Sequence, residues 1–525
     1  MQKLRGLLSS KSWLLGILLL IALLIRLNHL TDRSLWFDEA FSWRLIQFPF
    51  LEFLSRSASD VHPILYYILL WLWCAPLYLL KLTISLFWLR FFSVILSLGT
   101  VAATYFAGKT LFQSKWIGIT AALLMAVNAF QIQYAWEARM YALGTFLLCL
   151  CLIFLIKTIN ANKKAAWRNG IIFGLLTGAL FHVHYFMLFS ITAIFLFVIL
   201  HSLLEITKNN SSQKRSILPL IVGLFLAVII FMPWFPIFLK QRAQVQQNYW
   251  ILPMDSWSIP DTMSRLLLGG VNDFPHETSI ICSGLVFFIL LTPLVLGRKK
   301  SDLLLFLSFL VPFAGSWWIS RSTSIYQDRY FVFASVALIL LIARCISFLP
   351  TRFYFRSVIA ILLTCYGFYN VTQFWSSMHF QDHPGMIAAA KYIEENASRC
   401  DEPIVISSSF IYFPIAFHLP TGERYGIASI RDFGNTCLAT PKLYSKSGEF
   451  SHFGGSPILT KNDMVSSEVF QKQSANVWVI DTTGFYESKL DVPATYKLAD
   501  EKSFSELFVY QGDIIVRKYI KISND

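Results

Sequence analysis

Two adjacent carboxylates, Asp38 and Glu39, lie in the stretch RSLWFDEAFSW, directly after the first apolar segment and among Trp36, Phe37 and Phe41. Carboxylates beside a membrane are costly to place and mark a functional site by default. The plainer alternative is a helix start, with acids in the first turn and aromatic residues as interfacial anchors. A carboxylate so placed can accept a proton or hold a cation. Other polar residues able to do chemistry lie far apart in sequence: Asp60 and His62, Glu137 and Arg139, His182 and His184, and Arg321, Asp328 and Arg329.

The elements that must position them are membrane spans. The 525 residues are 55% hydrophobic and only 14% charged, and apolar runs long enough to cross a bilayer recur from Leu14 to about Trp375. The formal net charge of +13 does not point to nucleic acid, because Lys and Arg sit mostly in short loops between spans, where they set orientation. Lys3, Arg5 and Lys11 precede the first span and place the N-terminus in the cytoplasm. That span lacks a small-residue cleavage site, so it is read as retained. The Trp- and Tyr-rich run of residues 63–80, interrupted by Pro76, is apolar enough to cross. Charge parity excludes a crossing: it would turn Lys109, Lys115, Lys157, Lys163, Lys164, Arg168, Arg298, Lys299, Lys300 and Arg344 outward. The run is therefore read as an interfacial or re-entrant helix pair, which leaves about eleven transmembrane helices and an outward C-terminus.

With that parity every polar candidate above falls in an outer loop, together with residues 240–277, so the loops can converge on one cavity. Cationic groups at span ends suit a lipid phosphate. Beyond Trp375 the composition turns polar. Residues 377–525 read as an extracytoplasmic soluble α/β domain behind a transmembrane domain of residues 1–376. HPGMIAAAKYIEENA reads as an amphipathic helix with Ile387, Ala390, Tyr392 and Ile393 on one side. EPIVISS and NVWVIDT read as buried strands, and the tail as several strands with a turn at Gln511 and Gly512. Residues 422–463 read as a long loop. Cys400 and Cys437, alone in the polar part, would meet an oxidising compartment and can form a disulfide worth about 3 kcal/mol.

The ordered set LWFDEAFS at Leu35, HPILYY at His62, YAWEARMYAL at Tyr134, HVHYF at His182 and DRY at Asp328 resembles the polyprenyl-phosphate-sugar-dependent GT-C glycosyltransferases. The likeness is to the branch of the protein O-mannosyltransferases, the bacterial aminoarabinose transferase and the rhizobial lipopolysaccharide sugar transferases. It covers roughly the first two-thirds of the chain. The resemblance implies inverting transfer of a sugar from a polyprenyl-phosphate donor to an acceptor hydroxyl at the outer face of the cytoplasmic membrane. The carboxylate matching Asp38 would be the general base, and Arg139 and Arg329 the candidates for the lipid phosphate. A guanidinium stays charged there and can grip two oxygens. Nucleotide sugars are not expected outside the cytoplasm, so a donor there must arrive on a lipid. One base and cations on the departing phosphate then suffice.

The remaining candidates have plainer roles beside the functional ones. Glu39 either positions Asp38 or a divalent metal ion, or pairs with an Arg. His62 stands where many relatives carry Lys before Pro-Pro, and with Asp60 it offers two weak candidate metal ligands. Glu137 lines the substrate site or neutralises Arg139. His182 and His184, two apart, do not share a helix face, so one of them, with His184 the candidate, lines the cavity. Arg26, inside the first span, is expected to snorkel outward. The expected partners are the lipid-linked sugar, a protein, lipid or polysaccharide acceptor, and membrane lipids. The alternative function is a transporter or flippase for a lipid-linked saccharide, which would keep polar residues within spans near the midplane.

Overall fold

A computed structural model describes residues 12–80, 82–207, 211–247, 251–270, 274–350, 353–378, 384–397, 402–419, 438–445, 456–470, 476–484, 487–506 and 512–522. Its helices are α1 Ser12–Leu27, α2 Phe37–Leu45, α3 Phe50–Ala58, α4 Leu65–Leu79, α5 Leu86–Phe112, α6 Lys115–Ala126, α7 Ala129–Ala135, α8 Tyr141–Ile159, α9 Lys163–Phe181 and α10 Met187–Thr207. There follow α11 Ser211–Phe231, α12 Phe235–Gln247, α13 Ser258–Leu268, α14 His276–Thr292, α15 Lys300–Ser320, α16 Ala334–Ile346, α17 Phe353–Ser377, α18 Gly385–Asn396 and α19 Ser409–His418. The strands are β1 Ile404–Ile406, β2 Lys442–Tyr444, β3 Met464–Val465, β4 Asn476–Thr482, β5 Tyr496–Glu506 and β6 Gly512–Lys521.

The chain divides into two compact units. One comprises Met1–Asn28, Val61–Tyr66 and Phe91–Ser377; the other comprises His29–Asp60, Tyr67–Arg90 and Met378–Asp525. Among the described residues seven helices are long and apolar enough to cross a membrane, or eight if the bent pair α6 and α7 makes one span. The protein is an integral membrane protein of mostly helical architecture with a small sheet domain. Two of the four shorter apolar helices among the described residues, α16 and α19, have separate explanations. α16 is almost wholly buried and follows a 3-10 turn at Asp328–Val332, of which Phe331 and Val332 are buried. α19 has ten residues, about 15 Å of helix, too short to span, and its apolar character reflects burial within the sheet domain.

In the first unit α9 and α11 pack backbone to backbone. A Cβ added at Gly174 would lie 2.5 Å from the Gly223 carbonyl oxygen, and one at Gly170 would lie 2.7 Å from the Pro219 oxygen. Glycines four apart let two backbones touch, which is how helices associate where lipid supplies no hydrophobic drive.

Arg26 does not snorkel. It is fully buried and donates to Ser97 Oγ (2.8 Å), to the Ala126 oxygen (3.0 Å) and to the Met125 oxygen (3.3 Å). These carbonyls close α6 just where the chain bends by 62° into α7. A cation at a helix C-terminus satisfies carbonyls that have no intrahelical donor and complements the dipole. Arg26→Met is expected to destabilise the protein by about 2 kcal/mol, read as a lower thermal unfolding midpoint in detergent. An unchanged midpoint would remove this role.

In the second unit the sheet order is β3-β2-β1-β4-β6-β5. β3, β2, β1 and β4 run parallel, while β6 is antiparallel to β4 and to β5. The three-residue β1 and the inner part of β4 are buried, as their continuous apolar runs require. α18 buries Met386, Ala389, Ala390 and Ile393, so its inward face is turned from the one expected, with Ile387 and Tyr392 half-buried. The stretch read as one long loop contains β2, and 3-10 turns at Ser456–Ile458 and Lys461–Asp463. Cys400, Cys437, Gln511, Lys3, Arg5 and Lys11 lie outside the described residues.

Candidate active site

In the first unit the motif WEARM forms a buried non-helical link, residues 136–140, between α7 and α8. It is anchored on three sides. Trp136 Nε1 donates to the Arg26 oxygen at 2.8 Å. Asn128 caps α7 through Gln131 N–H and donates through Nδ2 to the Leu266 oxygen at 3.0 Å. Gln131 Nε2 donates to Ser335 Oγ (2.7 Å) and to the Val332 oxygen (3.0 Å), which ties α7 to the segment bearing Arg329.

These anchors bring the dispersed motifs together. Arg139, buried, directs Nη2 at the His62 ring, 3.2 Å from Nε2. His62 is held by its own strand of chain, because Leu65 N–H donates to the His182 oxygen at 2.8 Å. The His184 ring lies 5.8 Å from that of His62, 4.6 Å from Tyr330 and 5.8 Å from Phe333. Gly144 makes room for Phe333, since a Cβ there would lie 2.4 Å from that ring. His182 takes the other direction, with Nε2 at 3.2 Å from the Ile230 oxygen and its ring against Phe231 and Trp234.

The cluster holds two imidazoles and the guanidiniums of Arg139 and Arg329, with the carboxylates of Glu137 and Asp328 near them. His184 Nδ1 accepts the Phe186 N–H at 3.0 Å, which leaves the proton on Nε2. Burial first, then the imidazole of His62 and the guanidiniums of Arg139 and Arg329, hold His184 well below the usual histidine range. It is therefore a neutral N–H donor at neutral pH. Its Nε2 is buried and has no hydrogen-bond partner among the described residues. Asp328 bonds Arg265 Nε at 3.0 Å and accepts the Arg329 backbone N–H at 2.7 Å, so part of its charge is answered by α13. Glu137 is buried in the same link. Sequence reasoning misses Arg265, whose only signal is a lone cation on the amphipathic segment SIPDTMSRLLL.

The carboxylates of α2 belong to the second unit. Glu39 is 0% exposed and accepts from Arg90, Nε to Oε1 at 2.9 Å and Nη2 to Oε2 at 2.8 Å, with Arg33 Nη2 at 3.6 Å. Arg90 also donates to the oxygens of Leu30, Arg33 and Ser34 at 2.8–3.0 Å. One guanidinium thus fixes both the carboxylate and the chain that leads into α2. Glu39 is therefore an ion-paired group that sets the helix. Asp38 occupies the first turn of α2, and it alone in that helix is not buried. Asp60 is buried and accepts from the Tyr67 hydroxyl at 3.3 Å. Among the described residues no group of three or more His, Cys, Asp or Glu side chains comes together to hold a metal ion, so Asp60 and His62 acquire no further ligand.

The chain has the fold of the GT-C class, mostly helical with apolar spans and with a small C-terminal sheet domain. It is similar to ArnT from Cupriavidus metallidurans bound to undecaprenyl phosphate, with a TM-score of 0.61 and 11% identity over 97% of this chain and 98% of that one. The apo state of the same protein gives 0.59 and 11% identity over 90% and 93%. The archaeal oligosaccharyltransferase AglB from Archaeoglobus fulgidus, in complex with an inhibitory peptide and a dolichol-phosphate, gives 0.50 and 13% identity over 90% and 70%. No family model matches the chain. No curated protein matches its sequence either.

Proposed function

We propose that the protein is a membrane glycosyltransferase that moves a sugar, with inversion, from a polyprenyl-phosphate donor to an acceptor hydroxyl. The reading places the reaction at the outer face of a bacterial-type cytoplasmic membrane, with the N-terminus inside and the C-terminal domain outside. The observation that carries it is the cluster of buried Arg139, half-buried His62 and buried, neutral His184, whose Nε2–H lacks an acceptor among the described residues. A buried N–H without an acceptor costs free energy that a bound anion recovers. A phosphate oxygen supplies both the acceptor and the negative charge. Support also comes from the fold shared with ArnT, which was crystallised with undecaprenyl phosphate.

In this mechanism Asp38 takes the proton of the acceptor hydroxyl as its oxygen attacks the anomeric carbon. The bond from that carbon to the phosphate oxygen breaks, and the electron pair leaves with the polyprenyl phosphate. Arg139 and Arg329, with His62 and His184 as donors, stabilise the charge that develops there. Glu39 positions the helix that bears Asp38, and Glu137 balances the cations. The acceptor is a protein, lipid or polysaccharide with a free hydroxyl.

The test is turnover of a radiolabelled polyprenyl-phosphate sugar by the purified protein with a crude acceptor fraction. Label is expected in the acceptor, with polyprenyl phosphate released. A wild type that moves the donor across vesicles with its sugar–phosphate bond intact is a transporter, and the proposal then fails. Arg139→Ala is expected to weaken donor binding about 10- to 100-fold, the loss of one charge-assisted hydrogen-bond set.

A further inference from the structure

The helix that carries Asp38 is short and has a mixed composition, FDEAFSWRL, yet eight of its nine residues are buried. Nine residues of this kind do not hold a helix on their own. The contacts that hold α2 come in large part from the C-terminal domain of the same unit. On its apolar side Phe37 meets Phe410 at 5.1 Å, and Trp43 meets Phe417 edge-on at 5.2 Å, both on α19. Just before the helix, Leu35 N–H donates to His418 Nε2 at 3.1 Å, and Ile387 N–H donates to Ser34 Oγ at 3.3 Å. In its last turn Arg44 reaches the buried carboxylate of Asp463 at 3.5 Å. That same carboxylate accepts from Tyr412 Oη on α19 (3.2 Å) and from Thr460 N–H and Oγ1 (2.7 and 2.6 Å). The next helix is held likewise, with Arg56 Nη1 donating to the oxygens of Pro457 and Leu459.

We infer that the C-terminal domain is a clamp that sets the position of α2, with His418 and Asp463 as positioning residues for Asp38. The inference rests on the proposed role of Asp38 as the base. Both ends of the helix and its apolar side are fixed, so the first turn cannot shift without breaking a contact to the domain. Asp38, the residue of α2 that stays accessible, is then presented at one fixed place. Fixing a base within hydrogen-bond reach of the proton it takes is worth more in rate than in substrate affinity. His418 and Asp463 make no contact with a reacting atom in this scheme and act through α2.

The experiment uses the full-length protein in detergent and two readouts. Hydrogen exchange is followed on a peptide covering residues 33–46, and turnover is measured with a labelled polyprenyl-phosphate sugar. His418→Leu and Asp463→Asn are each expected to speed exchange of that peptide by about tenfold. They are also expected to lower kcat by about tenfold with the donor KM unchanged. His418→Gln, which returns an acceptor, is expected to recover part of both. Asp491→Asn, at an exposed position ahead of β5, is expected to change neither. Unchanged exchange in both His418→Leu and Asp463→Asn overturns the clamp, whatever Asp38 does. Faster exchange with an unchanged kcat supports the clamp and counts against Asp38 as the base. Protection of β4 and β6 in the same samples separates loosening of α2 from unfolding of the domain, and if only unfolded variants lose activity the inference is wrong.

Discussion

Asp38→Asn is expected to lower sugar transfer by roughly two to four orders of magnitude, the range a positioned general base contributes. The change keeps size and most hydrogen bonding and removes the proton acceptor with one negative charge. Its neighbours make it a clean test. Glu39 is occupied by Arg90, so it cannot take over as the base without breaking a buried ion pair. The rest of α2 is buried and ends in the Arg44–Asp463 contact, so the substituted amide would be presented by an undisturbed helix. Donor binding is expected to stay near wild type, because the phosphate cations are separate groups. Arg139→Ala has the opposite emphasis, losing affinity together with turnover. The comparison is made with labelled donor, equilibrium binding beside initial rates. If the Asp38→Asn protein cleaves the donor and glycosylates acceptor near the wild-type rate, the base lies elsewhere and the WFDEAF stretch only shapes the helix start.

Local chemistry is legible in the sequence, while partnership across distance is not. A carboxylate pair after an apolar run, and an Arg or His at a span end, announce themselves because burying such groups is costly. Glu39's partner is Arg90, 51 residues away and inside the apolar segment LFWLRFFSV. A cation in such a segment implies a partner but does not name it. Arg26 departs from expectation for the same reason. Its pattern fits snorkelling equally well, and only the break between α6 and α7 creates the open carbonyls that capture it. His182 and His184 differ by the directions their backbones impose, one towards the Ile230 oxygen and one towards the rings of His62 and Tyr330, and spacing alone predicts only that they differ. The strands β1 and β4 stand out as apolar runs. α19 does not, because its sequence IYFPIAFH reads equally as strand or helix until something packs on both sides. The grouping of residues 29–60 and 67–90 with the C-terminal domain rests on long-range contacts that no local pattern encodes.

The ion pair that holds α2 carries the second large effect. Glu39 is 0% exposed, and Arg90 is fully buried too, so neither charge can recover hydration in place of its partner. Removing one member of such a pair leaves a buried charge, at a cost of about 3–5 kcal/mol. Arg90→Met is expected to show a loss of that size in denaturant or thermal unfolding, with turnover falling alongside because the chain entering α2 loses its anchor. Arg90→Lys is expected to rescue little, since an ammonium is a point charge that cannot fork to two carboxylate oxygens and three carbonyls at once. The double variant Glu39→Leu with Arg90→Met decides which part of the site matters. It removes the stranded charge, so it should be more stable than Arg90→Met alone. It should still fall short of wild type, because the carbonyls of Leu30, Arg33 and Ser34 remain without their donor. Full recovery in the double variant would mean that charge pairing is the whole role of Arg90 and that the three carbonyl bonds contribute nothing. An Arg90→Met protein as stable as wild type would mean that Glu39 is held by Arg33 instead, at 3.6 Å, and that the geometry presenting Asp38 does not depend on the fork.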